Sequence, residues 1–247
     1  MTGHRLGPGA VLLVAHGSSD PRAAAATRAL TRAVAAQRPG LDVRCAFLDH
    51  AGPRPGEQLF AFERLGHRAA MVVPLLLTNA FHGRFDLPAV LEQARADGLR
   101  MDVTTTDVLG AGAPVLLLSA LRRLLPPVSY DGVVLVAAGT RDDLARHSVD
   151  VAAGALGAAL GVPCLAAYAS GSPVTGAVAV AALRDRGCSR IAVSSYFLAP
   201  GKLHDLAVDS ALSAGALSPV APPLEANLDV ARLVMSRIGA FGLLRAA

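Results

Sequence analysis

Short apolar runs alternate along this chain with longer stretches whose apolar residues recur every three or four positions. Val11–Ala15, Val43–Leu48 and Met71–Leu77 are too short for helices. Their near-continuous aliphatic character reads as strands covered on both faces. A helix is predicted from Pro21 to about Gln37, with proline in its first turn and Pro39-Gly40 ending it. A second runs from about Gly56 to Gly66, and Pro88 opens a third. Asp102–Val108 alternates like a less buried strand, and Ala113–Leu124 reads as a closing helix. Strands and helices in strict alternation imply right-handed βαβ crossovers and a mostly parallel sheet.

The pattern then repeats. Val11-Leu-Leu-Val-Ala-His-Gly-Ser-Ser-Asp matches Val133-Val-Leu-Val-Ala-Ala-Gly-Thr-Arg-Asp, 122 residues later, and His82 and His204 have the same separation. Leu41–Leu48 aligns with Val162–Ala169, and Met71–Leu77 with Ala192–Leu198, each 121 residues apart. Agreement over four segments indicates an internal duplication. The expected fold is α/β, with two duplicated lobes, each a mostly parallel sheet flanked by helices, and an active-site cleft between them. The lobes are assigned to residues 1–125 and 126–247, the second repeating the strand–helix order from Val133 to about Ile238.

Composition narrows the function. With 53% hydrophobic and 17% charged residues, the chain is globular rather than disordered. The formal charge of +4 comes from scattered arginines, Lys202 being the only lysine, and aromatic content is 4%. With no basic run and no stacking surface, nucleic acid is not an expected partner. Val151–Ser170 carries no charge, but Val162-Pro163 interrupts it, so it reads as helix end, turn and strand rather than a membrane span. Cys45, Cys164 and Cys188 have no metal spacing, and no secretory signal is read, so the expected setting is the cytoplasm. No G-x-x-x-x-G-K-[ST] or convincing G-x-G-x-x-G occurs, so neither ATP nor NAD is expected as a cofactor.

The candidate chemistry stands at predicted strand ends. The first strand delivers His16, the second Asp49 and His50, and the third His82 after a short loop. Ligands bind at this edge of open α/β sheets. Neutral imidazoles with a carboxylate suit a divalent transition metal, or proton transfer, or both. Asp49 alone also reads as a turn cap, with His50 its alternative. Gly17 and Gly83 would let ligand and backbone approach each histidine. His67 is expected to cap a helix end, His147 to face solvent or the other lobe, and His4 to lie in a tail. In the second lobe Ala138 replaces the first histidine, and Ser170 occupies the region of Asp49. Only His204 persists, either lining the cleft with Lys202 or retaining loop architecture.

These residues carry a resemblance to the sirohydrochlorin chelatases, the long two-lobe form of the class II tetrapyrrole chelatases. Its motifs are A-H-G-S-S-D-P-R at Ala15–Arg22, A-F-L-D at Ala46–Asp49, F-H-G-R-F-D-L-P at Phe81–Pro88, and S-Y-F-L-A-P-G-K-L-H-D at Ser195–Asp205. The resemblance implies insertion of Fe²⁺, or alternatively Co²⁺, into sirohydrochlorin without ATP. It implies His16 and His82 as metal ligands and proton acceptors, with Asp49 assisting where the family usually has glutamate. The substrate carries eight carboxylates, so Arg84, Arg22 and Arg44 become candidate contacts, with Ser18, His204 and Lys202 also toward the substrate. One chain already supplies two lobes, so a monomer is expected. The rivals are a metal or tetrapyrrole carrier without turnover, and a histidine phosphatase, for which no anion nest follows His16.

Overall fold

A computed structural model of the chain describes residues 9–78 and 86–244, with side chains described as far as Gly239. The elements run β1 (Ala10–Ala15), α1 (Pro21–Gln37), β2 (Asp42–Phe47), α2 (Pro55–Arg64), β3 (Ala69–Pro74), α3 (Leu87–Ala96), β4 (Asp102–Thr105) and α4 (Val115–Leu124). They continue as β5 (Gly132–Ala137), α5 (Asp143–Leu160), β6 (Cys164–Tyr168), α6 (Gly176–Asp185), β7 (Ile191–Tyr196), α7 (Lys202–Ser213) and α8 (Leu228–Leu244). Two parallel sheets result, ordered β2-β1-β3-β4 and β6-β5-β7. The duplicated α/β architecture is therefore present. The uncharged stretch 151–170 resolves into the end of α5, a left-handed Gly161 and β6. Among the described residues no helix is long and apolar enough to cross a membrane.

Alternate residues of one strand feed different cores, which explains why the runs are apolar throughout. Ala10, Leu12 and Val14 of β1 pack outward with Leu59 and Phe62 of α2 and Leu91 of α3. Val11 and Leu13 pack inward against Leu30 and Val34 of α1. In the second lobe, Val134 and Val136 of β5 pack with α6 and α7, whereas Val133 and Leu135 turn inward. The two inward faces share a single cluster, filled by α1, α4, α5 and α8.

The helices do not respect the division at residue 125. The last helix of the first half, α4, packs on α5 and β7, while α8 packs on α1, α4 and β3. Each half thus contributes its final helix to the partner's sheet. Val230, Leu233 and Val234 of α8 are at most 2% exposed, and fully burying such a side chain stabilises by about 1.5–3 kcal/mol. Arg237 of α8 also donates to the carbonyl oxygens of Leu109 and Ala111, at 3.3 and 2.8 Å, in the loop after β4.

The second lobe departs from the expected repeat at its edge. No fourth strand is assigned there among the described residues, although residues 217–225 run along β7. Leu217 donates to Ile191, Ala221 to Val193, and Leu224 to Phe197. In the first lobe, Thr106 donates to Val72 and Leu109 to Leu76 at the corresponding places. Pro219, Pro222 and Pro223 remove three amide donors, so the segment keeps the position of an edge strand without its ladder.

Candidate functional site

His16 follows β1 directly, at the carboxyl edge of the first sheet. The ladder continues past the strand ends: Leu48 donates to Ala15 at 3.0 Å and Asp49 donates to the carbonyl of His16 at 2.7 Å. Asp49 is therefore held beside His16 by the β1–β2 register. Nδ1 of His16 lies 3.1 Å from the carbonyl oxygen of Gly17. A carbonyl can only accept, so Nδ1 carries the proton and the neutral ring has its lone pair on Nε2. A backbone carbonyl sets the tautomer of metal-ligating histidines in this way.

Asp49 presents an exposed carboxylate. Its Oδ1 accepts from the amide of His50 at 2.7 Å, and its Oδ2 lies 3.5 Å from Nε2 of His50. The Arg54 guanidinium is 3.9 Å away and also donates to the carbonyl of Leu48. The His50 amide first, then Arg54 and the neighbouring imidazoles when protonated, hold the Asp49 carboxyl below the ordinary carboxylate range. It stays ionised, a turn residue and a base at once. His50 itself takes a left-handed φ of 59° to make the turn.

A cavity of about 140 Å³ opens next to His16, lined by Thr27 and Leu30 of α1, Phe47, Leu75, and Leu198 and Ala199 of the second lobe. Both lobes thus border it, as expected of a cleft between them. His82 and Arg84 lie outside the described residues, as does His4. Among the described residues, no three His, Cys, Asp or Glu side chains group to hold a metal ion.

The remaining candidates fall at different places. Ser18 accepts from the amide of Asp20 at 3.1 Å, shaping the loop into α1. Asp20 caps α1 by accepting from the Arg22 amide at 2.9 Å. Arg22 is not open toward a ligand: its Nη2 lies 2.6 Å from Asp20 Oδ2 and 2.7 Å from Asp205 Oδ2 across the lobes. Arg44 folds back on Asp42 at the opposite end of β2, 2.8 Å away and over the ring of Phe62. His67 joins that group, 3.4 Å from Asp42 and edge-on to Phe62. His147 is exposed on α5. Lys202 is exposed at the start of α7 and lends positive potential to Asp20.

His204 is turned inward. It is 9% exposed, with Nε2 3.1 Å from Ser195 Oγ and Nδ1 3.1 Å from Asp205 Oδ1. Its ring stands edge-on to Phe197 at 5.2 Å. Of the readings open for it, retained architecture describes this placement. Sequence carried a signal, since His204 falls in the i, i+3, i+4, i+7 row with the buried Ala207, Val208 and Ala211. Ser195 and Asp205 were missed as its partners. The rest of the second lobe mirrors the first without its chemistry: the Ser170 amide donates to Ala138 as Asp49 does to His16, and Asp142 caps α5 as Asp20 caps α1.

Residues 10–123 match the model of the CbiX family. No curated protein matches the chain in sequence. The fold is similar over nearly the whole length to SirB from Bacillus subtilis with Fe³⁺ (20% identity, 94% of both chains, TM-score 0.80). It is likewise similar to the sirohydrochlorin chelatase SirB from Bacillus subtilis subspecies spizizenii in complex with cobalt (20% identity, 94% of both chains, TM-score 0.78). A third similar structure is CbiX, described as the terminal enzyme for biosynthesis of siroheme in denitrifying bacteria (19% identity, 94% of this chain and 98% of that one, TM-score 0.65).

Proposed function

We propose, from a first lobe that matches CbiX and a two-lobed chelatase fold, that this chain is a sirohydrochlorin chelatase. The reaction exchanges two pyrrole protons of sirohydrochlorin for one divalent metal ion. The exchange is redox-neutral, because the charge of the ion replaces that of the two protons, so it needs no oxidant and no nicotinamide, and it is proposed to run without ATP. The observation that carries the reading is His16 bordering the cavity, its tautomer set by the Gly17 carbonyl, with an ionised Asp49 fixed beside it by the strand register.

His16 and His82 are the proposed ligands of the incoming ion and the acceptors of pyrrole protons. Imidazole suits both tasks near neutral pH, since it ligates and takes up a proton through the same lone pair. Asp49, ionised and open to solvent, stabilises the charge that His16 gains on protonation and passes protons to water. Arg84, whose guanidinium fork matches a carboxylate, and Lys202, a point charge, are proposed contacts for substrate carboxylates. Arg22 is a weaker candidate, because two carboxylates already occupy it.

Fe²⁺ is the proposed metal, giving sirohaem, with Co²⁺ the alternative because imidazole and carboxylate ligands serve both ions. Initial rates of the anaerobic spectral change with Fe²⁺, Co²⁺ and Ni²⁺, above the spontaneous rates, test the reading. A chelatase accelerates at least one. A carrier binds tetrapyrrole or metal without acceleration.

A further inference from the structure

The second lobe keeps a histidine where the first has His82, yet this ring is built into a chain of contacts that leads back to the first lobe. Ser195 Oγ donates to the carbonyl of Ala221 at 2.7 Å, so its one proton is used. It therefore accepts from Nε2 of His204, whose Nδ1 faces Asp205 Oδ1. The other oxygen of Asp205 accepts from Arg22 Nη2, 183 residues away in sequence. Arg22 also grips Asp20 with Nε and Nη2. The Asp20 amide in turn donates to Ser18, two residues beyond His16.

We propose that this relay positions His16. On the chelatase reading, the decayed half of the duplication has become a brace for the working half, and Asp205 and Arg22 are positioning residues acting through Asp20. Exposure separates this from a stabilising role. The crossing pair sits on the rim, with the side chains of Arg22 52% and Asp205 43% exposed, whereas those of Asp20 and His204 at its two ends are each 10% exposed. An ion pair so exposed adds little to global stability. The bidentate grip on Asp20 fixes the direction of the guanidinium, and its single Nη2 bond to Asp205 joins two shielded anchors that otherwise belong to separate sheets. The Gly201 backbone packs against the same loop: a Cβ there would lie 3.9 Å from both Ser18 Oγ and Asp20 Cβ.

The test uses the full chain with Arg22→Met, Asp205→Asn and the double variant. Insertion of Co²⁺ into sirohydrochlorin is followed anaerobically, beside thermal unfolding and the imidazole NMR signals. Each single variant should lower kcat about tenfold, the usual scale for losing a group that orients a ligand. KM should be nearly unchanged, the melting temperature should stay close to wild type, and the double variant should be no slower than the worse single. Unchanged kcat, multiplying losses or an effect on KM alone would overturn the relay. The His16 ring signals should move in Asp205→Asn while those of His147 stay. Unmoved His16 signals overturn the proposal even if the wild type inserts no metal, an outcome that would separately defeat the chelatase reading.

Discussion

A side-chain carbon on Gly17 would lie 1.9 Å from the carbonyl oxygen of Asp49. No residue but glycine fits, and a φ of 95° at Gly17 enforces the same choice. The duplicate shows the identical constraint, with Gly139 at φ 91° and a Cβ 1.9 Å from the Ser170 carbonyl. This crossing brings the ends of the first two strands together and sets Asp49 beside His16. Gly17→Ala should therefore cost upward of about 1 kcal/mol of stability and abolish metal insertion. Gly139→Ala should carry a similar stability cost and spare most of the activity at working temperature. Urea unfolding and initial insertion rates on the two variants check the contrast.

The buried network of the second lobe gives a separate test. Ser195→Ala strands the Ala221 carbonyl and Nε2 of His204 in a site the hydroxyl had satisfied. Each stranded group costs about 1–3 kcal/mol. The urea midpoint should fall accordingly, and Ser195→Thr should recover part of the loss.

Because α4 and α8 are exchanged between the halves, the two lobes should not unfold separately. Calorimetry should give one transition, with its calorimetric and van't Hoff enthalpies equal. Two resolved transitions would contradict the shared core. Truncation before Leu228 should prevent folding of the first lobe as well, since α8 covers α1 and β3.

Much of this was legible in the sequence, and the limits have physical causes. The run Ala10–Val14 is apolar because it is covered on both faces, so periodicity found β1. Pro21 announced α1, though not the Asp20 cap before it. The alternation could say that α4 has an apolar face, but not which sheet receives it, because a helical stripe carries no address. Repetition suggested a fourth strand in the second lobe, where three prolines leave only an extended edge. At the site, the duplication located the strand end bearing His16 and the equivalence of Asp49 with Ser170. It could not show that Arg44 would be spent on Asp42, or that Arg22 would be shared by two carboxylates, since those pairings depend on side-chain direction.

Acid should act through a small set of depressed carboxyls. Asp131 accepts from the amides of Ser189 and Arg190, which with the Ser189 hydroxyl hold its pKa below the ordinary 3.8. A carboxyl lowered on folding stabilises above its unfolded value, and that contribution is lost as pH falls through the folded one. Asp131→Asn should therefore be less stable than wild type at pH 7, with the gap closing below pH 3.8. Asp20, Asp49 and Asp205 are lowered too, first by bonds from Arg22, from the His50 amide and from Arg22 respectively. Titrating these four groups should leave stability level between pH 7 and about 5. Urea midpoints across this range decide it.

The central claim is that His16 and His82 together pass a metal ion to a tetrapyrrole. The direct measurement is the anaerobic conversion of sirohydrochlorin with Fe²⁺ or Co²⁺ by the wild type, His16→Ala and His82→Ala, with circular dichroism confirming each fold. Acceleration by the wild type, reduced to the spontaneous rate in both folded variants, is the predicted result. Near-normal turnover in either variant, or none in the wild type, would contradict it.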